Sequence, residues 1–476
     1  MKEGLLKAAV AVTVVSVFAG VSYGEGTTVK LTPTGYSSYG VGQIVKANLF
    51  STGEPERLMA DHLLFQQAFI GFNVQAAYDP LPITTNIGVE MKSFTITSRP
   101  MIVSQDQGLA TRFFYFTYLT RADFVYSPSE AFNLDVGYFP LKYNDDTRNL
   151  GEYLFRSGTY PQYLITNFDF AAARVTGVNA YGTLFGNFNY KALLTINTET
   201  ALMGDLNFTG IASYSFLNKF FELGGGVSLC SFISANSRHT RPALFDINQS
   251  GGSASRYKYI DKNGDTATYT FAGTKLMGRL SIDPKTLFQS DLFGKEDLKI
   301  YAEAAVLGLK NYPACVNADS MSARFENDIW IASANHDTFN IATRYDDILK
   351  RIPIMFGFNF PTFKFLDVLS LEAEWFGSSY PNDMTQYIRD GFPLPFPSRA
   401  SPWLGYGYED STRDNWKWSI YAKKTLASHF NIVVQVASDH LRWDYSADYG
   451  KQSGLLSEAL TQNTHKCWVM KLGYSF

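Results

Sequence analysis

The sequence predicts an all-β fold: a single transmembrane antiparallel β-barrel of about sixteen strands, with short turns at one rim and long connections at the other. Three observations predict it. Segments of about ten residues alternate apolar with small or polar side chains, the period-2 mark of a strand with two unlike faces. Composition agrees, because aromatic residues make up 16 % of the chain (38 Phe and 29 Tyr), there are 37 Gly, and charged residues reach only 18 %, while mean hydropathy is -0.11. That is poor in charge for a soluble chain and too polar for a helical membrane protein. Finally, the breaks between segments alternate short and long, which a random parsing of strands would not produce.

The chain opens with Lys2 and Lys7, an apolar run over residues 8–19, and small residues at Ser22 and Gly24. This order of charge, grease and small residues predicts a secretory signal over residues 1–24, removed before Glu25, leaving 25–476 as the barrel. No later apolar run approaches the ~20 residues of a spanning helix.

The alternating segments follow in order. Residues 36–49 form the first. Residues 64–78 set Ala68, Ile70, Phe72, Val74 and Ala76 against Gln67, Gly71, Asn73 and Gln75, and residues 86–94 set Ile87, Val89 and Met91 against Glu90 and Lys92. Over 114–126, Phe114, Phe116, Tyr118, Ala122, Phe124 and Tyr126 are expected to face lipid, with Tyr115, Thr117, Arg121 and Asp123 facing inward. Further segments are read at 132–139, 173–184, 188–197, 206–216, 221–232, 269–283, 298–308, 352–360, 366–376, 416–425 and 430–440. In these, Lys275, Arg279, Lys299, Glu303, Glu372 and Glu374 take the inward parity.

The last segment places Trp468, Met470, Leu472, Tyr474 and Phe476 on one face and Lys471, Gly473 and Ser475 on the other, and it runs to the terminal residue, where frayed ends are normally polar. It resembles the C-terminal strand of bacterial outer-membrane β-barrels. The resemblance implies that these five side chains are the signal read by the barrel assembly machinery, that outer-membrane lipid surrounds the chain, and that the strand ends in the periplasm. Breaks at 79–85, 127–131, 185–187, 217–220, 284–297, 361–365 and 426–429 then fall in the periplasm. Those at 50–61, 95–111, 143–172, 198–205, 233–268, 309–351, 377–415 and 441–465 fall outside.

The third external loop, about 143–172, carries Asp145, Asp146, Arg148, Glu152 and Arg156 among the aromatics Tyr143, Tyr153, Phe155, Tyr160 and Tyr163. The passage Gly137-Tyr138-Phe139-Pro140-Leu141-Lys142, followed by Arg174-Val175-Thr176-Gly177-Val178, is similar to the corresponding part of sixteen-stranded porins. That resemblance implies a loop folded into the pore, whose mixed charges set a transverse field at a constriction. The plainer reading is a surface loop with solvated charges, and the residues alone do not choose between them.

Inward cations (Lys92, Arg121, Lys191, Lys275, Arg279, Lys299, Lys417, Lys423 and Lys471) nearly balance inward anions (Glu90, Asp123, Asp135, Glu222, Glu303, Glu372, Glu374 and Asp439), so no ion preference follows. A formal net charge of -3 argues against a nucleic-acid partner. Three cysteines, Cys230, Cys315 and Cys467, cannot build a disulfide scaffold.

The six histidines form no recognisable catalytic set, although Asp439 and His465 share a parity near the outer rim, so no enzyme activity is expected. Asp261-Lys262-Asn263-Gly264-Asp265 begins like a calcium loop but has Thr266 and Ala272 where Gly and Glu are required. Asn263-Gly264 fits a hairpin turn instead, and no metal or cofactor is expected.

The expected function is passive diffusion of small hydrophilic solutes through a porin-like channel, with a homotrimer and a monomer both left open. The alternative is a non-conducting barrel that displays adhesive loops, suggested by Phe392-Pro393-Leu394-Pro395-Phe396-Pro397 and the nearby Trp403, Tyr406 and Tyr408.

Overall fold

The computed structural model describes residues 28–48, 59–97, 111–156, 173–198, 204–233, 258–260, 266–268, 272–288, 290–309, 312–313, 324–326, 329–331, 344–345, 348–378, 414–438 and 466–476. Sixteen strands follow one another around a closed antiparallel barrel, each paired with its neighbours in sequence, and β16 returns to β1. They are β1 (Thr28–Asn48), β2 (Met59–Asp79), β3 (Ile83–Thr97), β4 (Thr111–Ser129), β5 (Phe132–Leu141), β6 (Ala173–Leu184), β7 (Phe188–Ile196), β8 (Leu206–Phe216), β9 (Phe221–Ile233), β10 (Gly273–Ile282), β11 (Ile300–Val306), β12 (Ile354–Asn359), β13 (Val368–Ser378), β14 (Asp414–Leu426), β15 (Phe430–Ser438) and β16 (Lys466–Ser475). Closure leaves no free sheet edge of the kind a sandwich must protect.

Alternation decides which way each strand faces. Ile70, Phe72, Ile87, Phe124, Leu194, Leu276, Phe356, Leu371, Ile420, Val434 and Leu472 coat the outside, while Gln67, Glu90, Lys92, Asp123, Lys275, Glu303, Glu372, Glu374 and Lys417 are buried inside. The apolar coat and polar lining are the arrangement that period-2 patterning dictates for a barrel in lipid. The short turns at one rim are tight: between β6 and β7, Phe185 and Gly186 both take positive φ (53° and 75°), which matches the right-handed twist of the strands it joins.

One facing is corrected. Val89 pairs with Leu119 but Gly88 pairs with Arg121, so Thr120 is an extra residue that bulges from β4. A bulge shifts parity by one. Below it Arg121 and Asp123 point inward as expected. Above it Leu119 faces out, and the Tyr118 hydroxyl turns inward to donate to Glu90, which also accepts from Tyr36.

The first strand also begins earlier than expected, at Thr28. Within the long connection after β9, residues 258–260 pair antiparallel with 266–268; Asn263-Gly264, expected to turn a hairpin, falls outside the described residues. Residues 1–24, Cys315, Asp439, His465, residues 157–172 and the 392–408 aromatics also lie outside them.

Barrel closure falls at the C-terminus. Phe476 and Gly35 exchange both backbone hydrogen bonds at 2.8 Å. The Phe476 ring lies over Gly35, where a Cβ would stand 2.4 Å from it. Trp468, Met470, Leu472 and Tyr474 face outward on β16, with Tyr474 stacked on Phe476 at 5.9 Å.

Candidate functional site: a segment bound inside the barrel

On β5, Gly137 has φ +135°, and a Cβ there would come within 2.3 Å of the Ala122 carbonyl. Strand pairing with β6 ends at Leu141 opposite Ala173, and the chain leaves the wall and enters the lumen.

Residues 142–156 first fold on themselves. Glu152 accepts the Asn144 N–H at 2.7 Å and the Tyr143 N–H at 3.4 Å. The Lys142 ammonium donates to the Thr147 carbonyl, and Arg156 donates to the Asn149 carbonyl. Tyr153–Arg156 form a single helical turn, every residue of it buried.

Three wall carboxylates then hold the segment. Glu303 on β11 accepts from the Tyr143 hydroxyl, from Asn144 Nδ2 at 2.9 Å and from the Tyr153 N–H at 2.9 Å. Glu372 on β13 accepts three successive backbone N–H groups, those of Arg148, Asn149 (2.7 Å) and Leu150 (2.9 Å), besides the Tyr301 hydroxyl at 2.9 Å. Glu374 accepts from the Tyr153 hydroxyl and the Arg156 guanidinium, both at 2.9 Å. Buried carboxylates are costly unless every lone pair is engaged, and here the segment's own backbone supplies most of the donors. Its underside is apolar. Leu150, Leu154 and Phe155 pack with Val175, Leu193, Ile211, Met277, Met355 and Phe376 of the wall. Leu154 reaches so close to Gly226 that a Cβ there would lie 2.7 Å from it.

These contacts change what several expected pore residues do. Lys275, Glu303, Glu372 and Glu374 face inward as the alternation predicts, but each is at most 1 % exposed. They lie beneath the segment and hold it, so they do not meet water along the wall. Lys275 donates to the Leu154 carbonyl at 3.3 Å. On the segment, Arg156 and Glu152 are buried, Asp146 pairs with Lys299 at 3.2 Å, and Arg148 pairs with Glu296 at 2.8 Å. Burial alone would raise the Asp146 carboxyl, but Lys299 beside it and a hydrogen bond from Ser281 outweigh that and lower it. Among the described residues this leaves Asp145 as the segment's unpaired, exposed charge, so short ion pairs replace most of the expected transverse field.

Elsewhere on the wall, Arg121 holds Asp123, which also accepts from Asn86 at 3.1 Å, and Arg279 pairs with Glu222. Sequence reasoning missed Asn144 and Asn149, whose side-chain amides donate to Glu303 and to the Ser419 hydroxyl oxygen, and Glu296, which takes Arg148 and Lys299. For Asn144 the signal available was the concentration of inward acids on β11 and β13, which calls for neutral donors.

Burial, and then the neighbouring Glu303 carboxylate, push Glu152 up from 4.5 to about 8. A carboxyl raised in the folded state contributes stability that is complete below its unfolded pKa and is lost as pH rises through the folded one. Anchoring should therefore weaken from about pH 4.5 towards pH 8. Protease cleavage within 142–156 of the detergent-solubilised barrel is expected to quicken over that interval. Glu152→Gln should flatten the dependence, and an identical slope in the variant would locate the titrating group elsewhere.

Beside the segment, towards the rim of short turns, lies a cavity of about 880 Å³. Tyr143, Asp145 and Asp146 bound it on one side, and Glu130, Tyr181, Lys191, Glu222 and Arg279 are among its wall residues.

No protein-family model matches the sequence, and no curated protein matches it. Solved structures align along nearly the whole chain. An OmpF of Salmonella typhi in complex with daunomycin aligns over 96 % of this chain and 99 % of its own, with 12 % identity and a TM-score of 0.43. A mutant of the Rh. blastica porin covers 94 % of this chain and 100 % of its own at 8 % identity and a TM-score of 0.39. A triple mutant of the Rhodopseudomonas blastica porin gives the same coverage at 9 % identity and 0.39. These are likenesses of outline. The architecture rests on the chain's own strands: sixteen of them, all antiparallel, closed into one cylinder.

Proposed function

We propose that the chain is an outer-membrane channel through which small hydrophilic solutes diffuse passively, narrowed where residues 142–156 occupy the lumen. The observation that carries this reading is the polar cavity of about 880 Å³ inside a cylinder whose outer face is apolar. Charged wall groups bordering such a space stay hydrated, which suits passage of water-soluble molecules. No energy source or cofactor enters the mechanism, and selection is by size and by the charges at the cavity. Outer-membrane lipid, the assembly machinery and small solutes are the partners this reading implies, with a homotrimer as one assembly it admits.

The dense apolar packing under the segment favours a second reading, a barrel closed at rest that serves through its external loops. Planar-bilayer recording of the refolded full-length chain decides. Stepwise current increases on insertion are the expected result, and inserted barrels that carry no current would leave only the second reading.

A further inference from the structure

The cavity beside the inner segment is bordered by charges that are already balanced. Glu222 is paired with Arg279, and Asp146 with Lys299. Lys191 donates to the Lys142 carbonyl at 3.1 Å and lies in the field of Asp145. Of the six charged residues lining the space, Glu130 alone faces no opposite charge among the described residues, and it stands in the exposed turn between β4 and β5. A charged solute entering such a space loses hydration that no spare counter-charge returns, whereas a neutral polar solute exchanges water for wall groups.

Between the ion pairs the lining is made of neutral donors and acceptors. Ser127, Ser129, Thr183 and Ser213 bring hydroxyls, and Asn133 and Asn189 bring amides. Asn133 Nδ2 donates to the Tyr181 carbonyl at 3.3 Å, and Asn189 Oδ1 accepts from the Thr183 hydroxyl at 2.7 Å, so the other end of each amide is the end left for a guest. Ile211 and Ala212 are the aliphatic side chains of the lining, too little apolar surface for a greasy guest, but the half-buried ring of Tyr181 on β6 lines the same space.

We infer that this cavity is a binding site for neutral sugars of di- or trisaccharide size, held by hydrogen bonds to the wall hydroxyls and amides with one sugar ring laid against Tyr181. A sugar matches the lining in two ways. Its hydroxyls, on successive carbons, both donate and accept, and its C–H face is flat enough to lie on an aromatic ring. At about 880 Å³ the space falls within the roughly 300–1,000 Å³ of cavities that enclose drug-sized ligands. A polyether chain of equal mass offers almost only acceptors and would leave wall acceptors without a donor. The inference deepens the channel reading and rests on it.

The test is block of ion current through the reconstituted full-length protein in dilute potassium chloride by raffinose, an uncharged trisaccharide, against a polyethylene glycol of equal mass, each added on both sides. Raffinose is expected to reduce the current saturably and at about tenfold lower concentration than the polyethylene glycol. Tyr181→Ala should raise the half-blocking concentration of raffinose about fivefold, and Tyr181→Phe, which keeps the ring, less than about twofold. Asn189→Ala should raise it about fivefold. Glucose should block at about threefold lower concentration than either glucuronate or glucosamine, its anionic and cationic counterparts. Equal block by raffinose and the polyethylene glycol, an unchanged half-block in Tyr181→Ala, or a charged sugar as effective as glucose overturns the inference. The wild-type comparisons hold even if a variant does not fold. Absence of any current overturns the channel reading instead; raffinose titrated calorimetrically into the full-length chain in a sugar-free detergent then decides the site, a saturable heat keeping it and no heat overturning it.

Discussion

Glu372→Ala is expected to detach residues 145–150 from the wall and to raise single-channel conductance. The substitution leaves three consecutive buried N–H groups without an acceptor. Each such loss costs about 1–3 kcal/mol, so roughly 3–9 kcal/mol of local anchoring disappears. The apolar underside opposes complete release, because burying Leu150, Leu154 and Phe155 is worth about 1.5–3 kcal/mol apiece. The two are comparable, so opening is predicted to be partial. The stretch over Glu372 leaves, while the helical turn stays with Glu303 and Glu374. Adding Glu303→Ala removes the acceptor for Tyr143, Asn144 and Tyr153 as well and should free the whole segment. Conductance and protease access to 145–150 read the effect together. If both stay at wild-type values in Glu372→Ala, the carboxylate does not hold the segment.

Phe476→Ala is expected to lower the amount of barrel reaching the outer membrane by about tenfold or more, equivalent to about 1.4 kcal/mol of lost recognition, while costing the folded barrel only about 1 kcal/mol. The ring is 56 % exposed and packs edge-on to Phe72 at 6.3 Å, so little burial is at stake once the cylinder has closed. Deleting Phe476 also removes both hydrogen bonds to Gly35 and should lower refolding in detergent too. Equal cellular yields for wild type and Phe476→Ala would show that the terminal aromatic is no assembly signal.

Much of this fold was legible because a strand's period of two has only two phases. Strand number, the sidedness of the breaks and the inward setting of Glu303, Glu372 and Glu374 all follow from it. Tyr118 was misplaced because a bulge inserts one residue without any mark in the alternation. The covering of the wall was illegible for a different reason. Parity says which face a side chain takes and nothing about what lies on it, so residues beneath the segment looked the same as residues beside water. The hold of Glu372 on Arg148, Asn149 and Leu150 was further hidden because its donors are backbone groups, which every residue carries.

The inner segment departs from β5 at Leu141 and is fastened on β13 through Glu372 and Glu374, eight places further round a ring of sixteen. It therefore spans a diameter, like a tie-rod between opposite staves of a cask. A hollow cylinder squeezed by lateral membrane pressure flattens most easily by ovalising, and a tie between opposite sides stiffens it against that mode. Cutting the tie should soften the cross-section even where every rung of the wall remains intact.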